Sequence, residues 1–306
     1  FHVPLKKLYS ASLLSGELPW WSHMLSTGFP LVAEGQVGAL YPPHLALFSL
    51  FEFTHAMGLA LVLHLLWGGS GVFVLSRHWG FSTGAALLGG LVFSTCGFMV
   101  VHAKHLNMVE AAAWLPWVIL EVRRLCNGES TGVRLALAVA MSFLCGHPQI
   151  TYYTLLVGGC VALGSLPWRH RSAAWNRLGR GIIALVCAGL LTAPQSLATS
   201  ELAETSARGE GLSANEISQW SYTPEFLQLF WVPDAFGDPA ILAKNEAGQL
   251  KGFTPPEGVE AFYWEVTGYV GLIPWMLCLF LLLRPQRRGA LPFFAMGAGG
   301  FLMLLA

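Results

Sequence analysis

The chain has 306 residues and no net formal charge; 54% of its residues are hydrophobic and only 11% are charged. Soluble domains carry about 25% charged residues, and the mean hydropathy here is +0.55, so the composition excludes an ordinary soluble protein and indicates an integral membrane protein. The neutral charge balance and the lack of a basic block do not favour nucleic-acid binding. The six cysteines lie in or beside apolar runs without a CxxC pair, which indicates small core residues and neither a disulfide framework nor a zinc site.

The first 54 residues are too polar and too rich in proline to cross a membrane, although residues 5–14 are predicted to form a short amphipathic helix. The stretch 28–43, GFPLVAEGQVGALYPP, is rich in turn formers and carries one acid, Glu34. A carboxylate in such a loop is suited to act as a general base on an acceptor hydroxyl or to bind a metal. The alternative is that Glu34 is a charge at the rim of the protein.

The remainder of the chain consists of apolar runs separated by short polar breaks. Five of these runs lie at 57–76, 81–101, 181–200, 268–283 and from position 290 onward. They are near the roughly 20 residues needed to span a bilayer, except for 268–283, which is shorter. Three more runs, 109–122, 133–145 and 149–166, are shorter. A helix of 13 or 14 residues rises only about 20 Å, against a hydrocarbon core of about 30 Å. We therefore expect the polar tips beside these short runs to lie below the outer membrane surface.

The arginines predict the topology. Eleven of the twelve fall at four places: position 77, positions 123–134, positions 169–180 and positions 284–288. The positive-inside rule assigns these places to the cytoplasmic side, so the chain must leave and return between them. The outer tips are then 102–107, 146–149 and 201–267, and residues 1–54 lie outside as well. Fifteen of the seventeen acids fall on this outer side, which agrees with the assignment.

The predicted fold class is all-α, a polytopic transmembrane helix bundle with outer-face loops and short surface helices. We expect one multi-pass membrane domain over 1–306: an outer loop at 1–54, helical hairpins at 55–200, an outer segment at 201–267 and further membrane helices at 268–306. Because no initiator Met precedes Phe1 and Ala306 lies inside an apolar run, we expect a fragment that lacks at least one segment at each end.

The outer segment 201–267 contains helix-start signals. Residues 213–216, SANE, form a capping box, and Thr223 precedes a proline at a first helical position. The apolar side chains that follow, at 226 and 229–231, are predicted to lie along the membrane surface. Residues 244–256 are expected to form a mobile loop.

The outer tips carry candidate binding residues. At 102–107 the predicted substrate-binding residues are His102, Lys104, His105 and Asn107, with Lys104 as the natural charge partner of a phosphate; the alternative is an ordinary solvated loop. In the next tip, GHPQ, we expect His147 and Gln149 to bind a phosphate or a sugar hydroxyl. The alternative there is a turn whose side chains satisfy backbone groups.

Other polar residues leave more than one interpretation open. Glu265, at the head of the last outer helix, is predicted to bind substrate or to interact with the helix dipole. The histidines of the outer side, with His23 and His44, supply metal-ligand types, but their spacing does not demand a metal, and no metal ligands are assigned. His55 and His64 are predicted to be packing histidines.

Several motifs, in order, resemble one family. They are GELPWWSHMLSTGFPLVAEGQVGALYPP, HAKHLNMVEAAAWLPW, GHPQITYY, TPEFLQLFWVPDAFGDP and YWEVTGYVGLIP. This succession is similar to bacterial YfhO-like multi-pass membrane proteins, which belong to the GT-C type of glycosyltransferases. The resemblance spans nearly the whole chain, and it adds Tyr152, in GHPQITYY, to the predicted substrate-binding residues.

The resemblance implies a GT-C-like helical enzyme that transfers a sugar from a polyprenyl-phosphate donor to a cell-envelope acceptor on the outer face. A carboxylate would deprotonate or orient the acceptor hydroxyl, and Lys104 with a neighbouring histidine would stabilise the leaving lipid phosphate. In this family the acid lies in the first outer loop, which corresponds to a position just upstream of Phe1, so Glu34 is not an obvious substitute. No cofactor is implied with certainty; a divalent metal is an open alternative.

Two other functions compete with the enzyme. One is a lipid or polysaccharide transporter or flippase, which should carry ionisable residues inside several spans. The other is a noncatalytic membrane assembly factor that keeps the fold without the chemistry. All three place the protein in the cell membrane, in contact with membrane lipids and with its motif loops on the extracytoplasmic side.

Overall fold

The computed structural model describes residues 2–25, 27–206, 223–237, 243–244, 250–256, 262–266 and 276. Within this part of the chain the structure is mostly helical. Its α-helices are α1 (His2–Leu14), α2 (Pro42–Leu50), α3 (Phe53–His78), α4 (Thr83–Thr95), α5 (Gly97–Val101), α6 (Leu106–Asn127), α7 (Val133–Leu144), α8 (Pro148–Ser165), α9 (Arg171–Glu204) and α10 (Tyr263–Val266). Short 3₁₀ turns lie at Gly35–Val37, His102–Lys104 and Pro224–Phe230. The chain divides into two compact units, the first formed by Phe1–Ser94 and Ala103–Gly209 and the second by Thr95–His102 and Glu210–Ala306.

Three helical segments of the described residues are long and apolar enough to cross a membrane: Phe53–His78, Thr83–Lys104 and Arg171–Glu204. Their lengths of 26, 22 and 34 residues correspond to about 33 to 51 Å of helix, which exceeds a hydrocarbon core of about 30 Å. Large apolar side chains such as Leu66 and Leu190 stay exposed on them, as contact with lipid requires. The second segment is broken at Cys96, whose backbone is extended.

The prediction that the run 109–122 forms a short helix is wrong. α6 has 22 residues, about 33 Å, because helix-forming residues on both sides of the apolar run continue the backbone hydrogen bonding. α8, with 18 residues, about 27 Å, has the length of its predicted run, 149–166. α7, with 12 residues, about 18 Å, is also short, as predicted. Counting apolar residues alone therefore underestimates the length of a helix that protein surrounds.

α6 is the central helix of the first unit. It packs against α3, α7, α8 and α9, and most of its residues from Leu106 to Cys126 are buried. A helix enclosed by other helices does not need an apolar lipid-facing stripe, so α6 can carry two carboxylates, Glu110 and Glu121. Pro116 lies inside the helix, where its ring packs close to Gly71 of α3.

The N-terminal region folds as a small core of its own. Leu5 and Tyr9 of α1 pack with Val37 and with Phe48 of α2. The predicted amphipathic helix is observed as α1, but α2 was not predicted, because two prolines mark its start. Pro42 and Pro43 occupy its first turn, where the missing N–H groups cost nothing.

The second unit contains an apolar cluster of its own. Phe226, Leu229 and Val266 are buried against one another. The prediction that 226 and 229 lie on the membrane surface is therefore wrong: the two side chains turn inward, and Trp231 is 44% exposed. Two short strands, Ala243–Lys244 and Leu250–Lys251, pair antiparallel, within and beside the region 244–256 that was predicted as a mobile loop.

Several predictions concern residues outside the described part of the chain. They are the capping box at 213–216, the apolar runs at 268–283 and from 290, and the side chain of Glu265. These predictions stay untested, as does the assignment of 1–306 to a single domain.

Candidate functional site

The loop 28–43 contacts α9. Gln195 Nε2 donates a hydrogen bond to the carbonyl of Val32 at 2.8 Å, and Thr199 Oγ1 donates to the carbonyl of Ala33 at 2.9 Å. Both donors lie on α9, more than 160 residues along the chain from their acceptors. The buried backbone of the loop is thus satisfied by side chains of a long apolar helix, which holds the loop in one conformation.

Two of the predicted outer segments meet this loop at Gly146. Asn107 Nδ2 donates to the carbonyl of Gly146 at 3.2 Å. On the other side, a Cβ added at Gly146 would lie 2.2 Å from the carbonyl oxygen of Gly35, and φ is +91°. Only glycine fits such a position. The structure therefore brings the loop 28–43, the GHPQ tip and the start of α6 into contact.

Two predicted site residues cap helices beside this contact. The half-buried Glu34 accepts a hydrogen bond from the N–H of Gln36 at 3.4 Å and starts the 3₁₀ turn Gly35–Val37. His147, also half-buried, accepts from the N–H of Ile150 at 3.4 Å and starts α8. Both side chains have a structural task in this conformation, and their predicted catalytic and binding roles stay predictions.

The other predicted residues of the first unit differ in exposure. Lys104 is exposed and His105, at the N-cap of α6, is half-buried. Gln149 donates to the hydroxyl of Tyr153 at 2.8 Å, and Tyr152 is 57% exposed. Asn107, by contrast, is 1% exposed, so its amide serves the packing of the tip.

The predicted cluster at 102–107 is divided by the fold. His102 belongs to the second unit, whereas the residues from Ala103 onward in this tip belong to the first. The His102 ring is buried and lies 4.3 Å, centroid to centroid, from the ring of Phe98. Its Nδ1 donates to the carbonyl of Phe98 at 2.8 Å. Phe98 of the preceding helix, α5, thus fixes the orientation of the His102 imidazole.

A buried charged network that the sequence analysis did not predict lies under the end of the loop. Glu110 Oε1 is 2.6 Å from His44 Nε2, and Lys6 Nζ is 2.9 Å from His44 Nδ1 and 3.2 Å from His44 Nε2. None of the three side chains is more than 2% exposed. Glu110 Oε2 is buried with no hydrogen-bond partner among the described residues. We call these three residues the buried triad.

Proton counting limits the charge of the buried triad. His44 Nδ1 is also 3.0 Å from the carbonyl of Gly38, which only accepts. Either Lys6 is an ammonium that donates to Nδ1 of a neutral His44, or His44 is an imidazolium that donates to both Glu110 and Gly38 while Lys6 is neutral. In both arrangements one positive charge balances the Glu110 carboxylate. A buried cluster requires this neutrality because an unbalanced charge is costly there.

Burial also sets the protonation equilibria of these groups. Desolvation lowers the pKa of Lys6 to about 8, against the opposing attraction of Glu110, and desolvation lowers the pKa of His44. The same effect, with repulsion from Glu110, raises the pKa of Tyr9 and that of Tyr41. Lys6 therefore stays the stronger base of the two, because its pKa remains above that of His44, and the two phenols stay neutral.

A second chain of hydrogen bonds continues from the loop into α3. Tyr41 lies 2.7 Å from His64 Nε2 and accepts from Trp114 Nε1 at 2.9 Å. His64 Nδ1 donates to the carbonyl of Ala60 at 2.7 Å, which directs Nε2 to the Tyr41 hydroxyl. His64 Nδ1 is 3.8 Å from Glu110 Oε1. His64 is buried, as predicted for a packing histidine, and it also fixes the loop. The same prediction is wrong for His55, which is 74% exposed.

The sequence carried a partial signal for this network. Glu110 is an acid inside the otherwise apolar stretch NMVEAAAWLPW, and an ionisable residue within an apolar helix is a functional candidate by default. His44 follows two prolines, and Lys6 lies on a short amphipathic helix. Nothing local indicates that these three meet, because 38 and 66 residues separate them from one another along the chain.

A second buried carboxylate lies on the same helix. Glu121 Oε1 is 2.7 Å from Arg124 Nη1, and Glu121 Oε2 is 3.2 Å from Arg134 Nε. The hydroxyl of Ser130 also donates to Glu121 Oε2 at 3.3 Å. The Glu121 side chain is 6% exposed, and those of Arg124 and Arg134 are 26% and 59% exposed. This group is a helix-end ion-pair network at the border of the core.

The metal alternative gains no support from the described residues. No group of three or more His, Cys, Asp or Glu side chains among them is arranged to hold a metal ion. In the buried triad, His44 Nε2 is directed to Glu110 Oε1 and Nδ1 to Gly38 or Lys6.

These observations define a mostly helical protein with three helical segments long and apolar enough to cross a membrane. A scan against protein-family models found no match, and searches of curated proteins and of solved structures found none either. The resemblance based on the sequence motifs therefore stays a prediction.

Proposed function

We propose that this chain is a membrane glycosyltransferase of the GT-C type, which transfers a sugar from a polyprenyl-phosphate donor to a cell-envelope acceptor on the outer face. The observation that carries the proposal is the meeting of three motif segments at Gly146. These segments are distant in sequence, and each brings polar side chains to the same place. A transferase needs such a surface, because it must position a donor and an acceptor together.

The proposed reaction is a displacement at the anomeric carbon. The bond from that carbon to the donor phosphate oxygen breaks, a bond to the acceptor oxygen forms, and polyprenyl phosphate leaves. The acceptor proton passes to a carboxylate, for which Glu34 is the candidate at this surface. Lys104 and His147 would stabilise the leaving phosphate, which needs little protonation.

The test is transfer from radiolabelled polyprenyl-phosphate sugars into envelope fractions, using the full chain. Substituting His147→Asn removes the imidazole, whereas asparagine can still cap α8. We expect this variant to fold and to lose about 10²-fold or more of its transfer rate. The Lys104→Ala variant should lose activity as well, and Lys7→Ala, an exposed lysine of α1, should retain it.

Two outcomes would contradict the proposal. Transfer that persists at the wild-type rate in both the His147→Asn and the Lys104→Ala variants would remove the assigned site. No transfer with any donor, from protein shown to be folded, would remove the enzyme function itself.

A second candidate is a transporter or flippase, and the buried triad favours it. Ionisable residues within the helical bundle are expected of transporters, and Glu110 Oε2 is a buried acceptor without a partner among the described residues.

Proteoliposomes distinguish this candidate from the enzyme. The assay follows a fluorescent lipid-linked sugar in the inner leaflet while a reducing quencher is present only outside the vesicles. If the protein flips the lipid to the outer leaflet, the quencher reaches it and the fluorescence is lost. We expect Glu110→Gln to abolish that flipping and Glu121→Gln to retain it. Equal flipping in protein-free vesicles and in proteoliposomes would exclude the transporter.

A further inference from the structure

A pocket of about 240 Å³ lies between α9 and the turn that ends α6. It is lined by Gly128, Ala173, Asn176, Arg177 and Arg180. The last four lie on α9 at spacings of three and four residues, which places them on one face of the helix. We call this site the arginine pocket. It is distinct from the Gly146 surface and from the buried triad.

The charge inside the arginine pocket is positive. None of its lining residues is acidic. Arg177 donates one hydrogen bond to the carbonyl of Cys126, which uses one of the five N–H donors of a guanidinium. The acids of the adjoining turn have other partners: Glu121 pairs with arginines of α6 and α7, and Glu129 accepts from Asn127 at 2.8 Å.

The arginine pocket lies where α9 changes from polar to apolar. Residues 171–180 are rich in arginine, and residues 181–200 are apolar. Trp175, beside the pocket residues, is 63% exposed, and exposed tryptophans are typical of the level of lipid headgroups. Ile183 follows Arg180 by one helical turn and is 63% exposed. A ligand with a charged head and an apolar tail matches this order.

We propose that the arginine pocket binds the phosphate group of an anionic phospholipid. Guanidinium groups pair with phosphate oxygens through two parallel hydrogen bonds, and the amide of Asn176 adds a further donor. Basic pockets between helices on the cytoplasmic side are suited to anionic headgroups, and the arginine distribution predicts that side here. Exposed Ile183 favours a lipid over free phosphate. The inference does not depend on the proposed enzyme activity.

The experiment measures phosphatidylglycerol retained by the purified full chain, by native mass spectrometry in neutral detergent. Phosphatidylcholine and inorganic phosphate serve as competitors. We expect Arg180→Gln to weaken phosphatidylglycerol binding about tenfold, as the loss of a charge-assisted contact implies. The matched control is Arg171→Gln, which removes the same charge from an exposed position of the same helix outside the pocket and should change binding less than about twofold.

The outcomes separate the possible ligands. Equal weakening by Arg180→Gln and Arg171→Gln would show diffuse surface attraction and overturn the site. Displacement of the lipid by millimolar inorganic phosphate would overturn the lipid assignment, and equal retention of phosphatidylcholine would overturn recognition of charge. Melting temperatures without lipid establish that each variant is folded. If Arg180→Gln is unstable, Asn176→Leu, which removes a pocket donor from an exposed position, provides the same comparison.

Discussion

The two carboxylates of α6 are neutralised in different ways. Glu110, near the start of the helix, is fully buried and is neutralised through Lys6 and His44, both of which are titratable. Glu121 lies eleven residues further along, about 16 Å away, and is paired with two guanidinium groups that reach solvent. Guanidinium groups keep their charge at all ordinary pH values.

The position of a buried acid in the bundle, and not its residue type, therefore decides how its charge is neutralised. At the end with arginines the charge is permanent and partly solvated, so the pair gives an ordinary ion-pair contact. At the Glu110 end the partners are titratable and shielded from water, so the charge balance depends on pH and on the presence of every residue of the buried triad. The buried triad also ties α1 and α2, which flank the loop 28–43, to α6.

The largest expected effect is the removal of the buried carboxylate. Substituting Glu110→Ala leaves a positive charge without its partner inside the bundle, which costs about 3–5 kcal/mol. We expect a lower melting temperature in detergent and a weaker contact at Gly146.

The double variant sharpens this prediction. Replacing both partners, as in Lys6→Met with Glu110→Gln, removes the unbalanced charge, so its cost should be smaller than the sum of the two single costs. Strict additivity of the melting data would contradict the coupling between the two side chains.

A smaller effect concerns pH. The folded pKa of Lys6, about 8, lies below its ordinary value of 10.5, so the burial penalty is fully present below pH 8. Between pH 8 and 10 the folded state releases this proton while the unfolded chain keeps it, so stability rises with pH. The whole effect is on the order of 3 kcal/mol.

The measurement is the pH dependence of unfolding in detergent, compared between the wild type and Lys6→Met. The increase in stability with pH that Lys6 contributes between pH 8 and 10 should be absent in Lys6→Met. Above pH 10 the raised pKa values of Tyr9 and Tyr41 oppose the rise, because the unfolded phenols ionise first. A wild-type slope that equals that of Lys6→Met between pH 8 and 10 would contradict the assignment.

The smallest expected effect is at the other carboxylate. Substituting Glu121→Gln should cost about 1 kcal/mol or less, because Arg124 and Arg134 keep contact with water. Its effect should also weaken at high salt, whereas that of Glu110→Ala should not. A loss of stability in Glu121→Gln as large as that in Glu110→Ala would show that both ends of α6 depend equally on their carboxylates.

Much of the architecture could be predicted from local patterns. The apolar runs at 57–76 and 181–200 appear in α3 and α9, and the proline and histidine of GHPQ begin α8. The loop 28–43 contacts Gly146 of the GHPQ tip, and Asn107 reaches the same glycine from the start of α6. Such features follow from hydrophobic length and turn chemistry, which act over short stretches of chain.

The rest depended on contacts that no local pattern encodes. The length of α6 was underestimated because helix-forming residues continue it on both sides of the apolar run, where it stays packed against neighbouring helices. Lys6, Tyr41 and Glu110 were not predicted as a group, since each is an isolated polar residue in its own stretch. His64 was predicted to pack, but its bond to Tyr41 requires knowing which loop lies above it.

The sequence alone determined that this is a chain with long apolar helices, and its arginine distribution predicts which polar segments share a side of the membrane. Composition and charge distribution suffice for that, because transfer to a membrane depends on residues one at a time. Only the tertiary structure decided which polar groups meet. A buried charge survives only beside a partner, and the fold supplies that partner to Glu110 from α1 and α2.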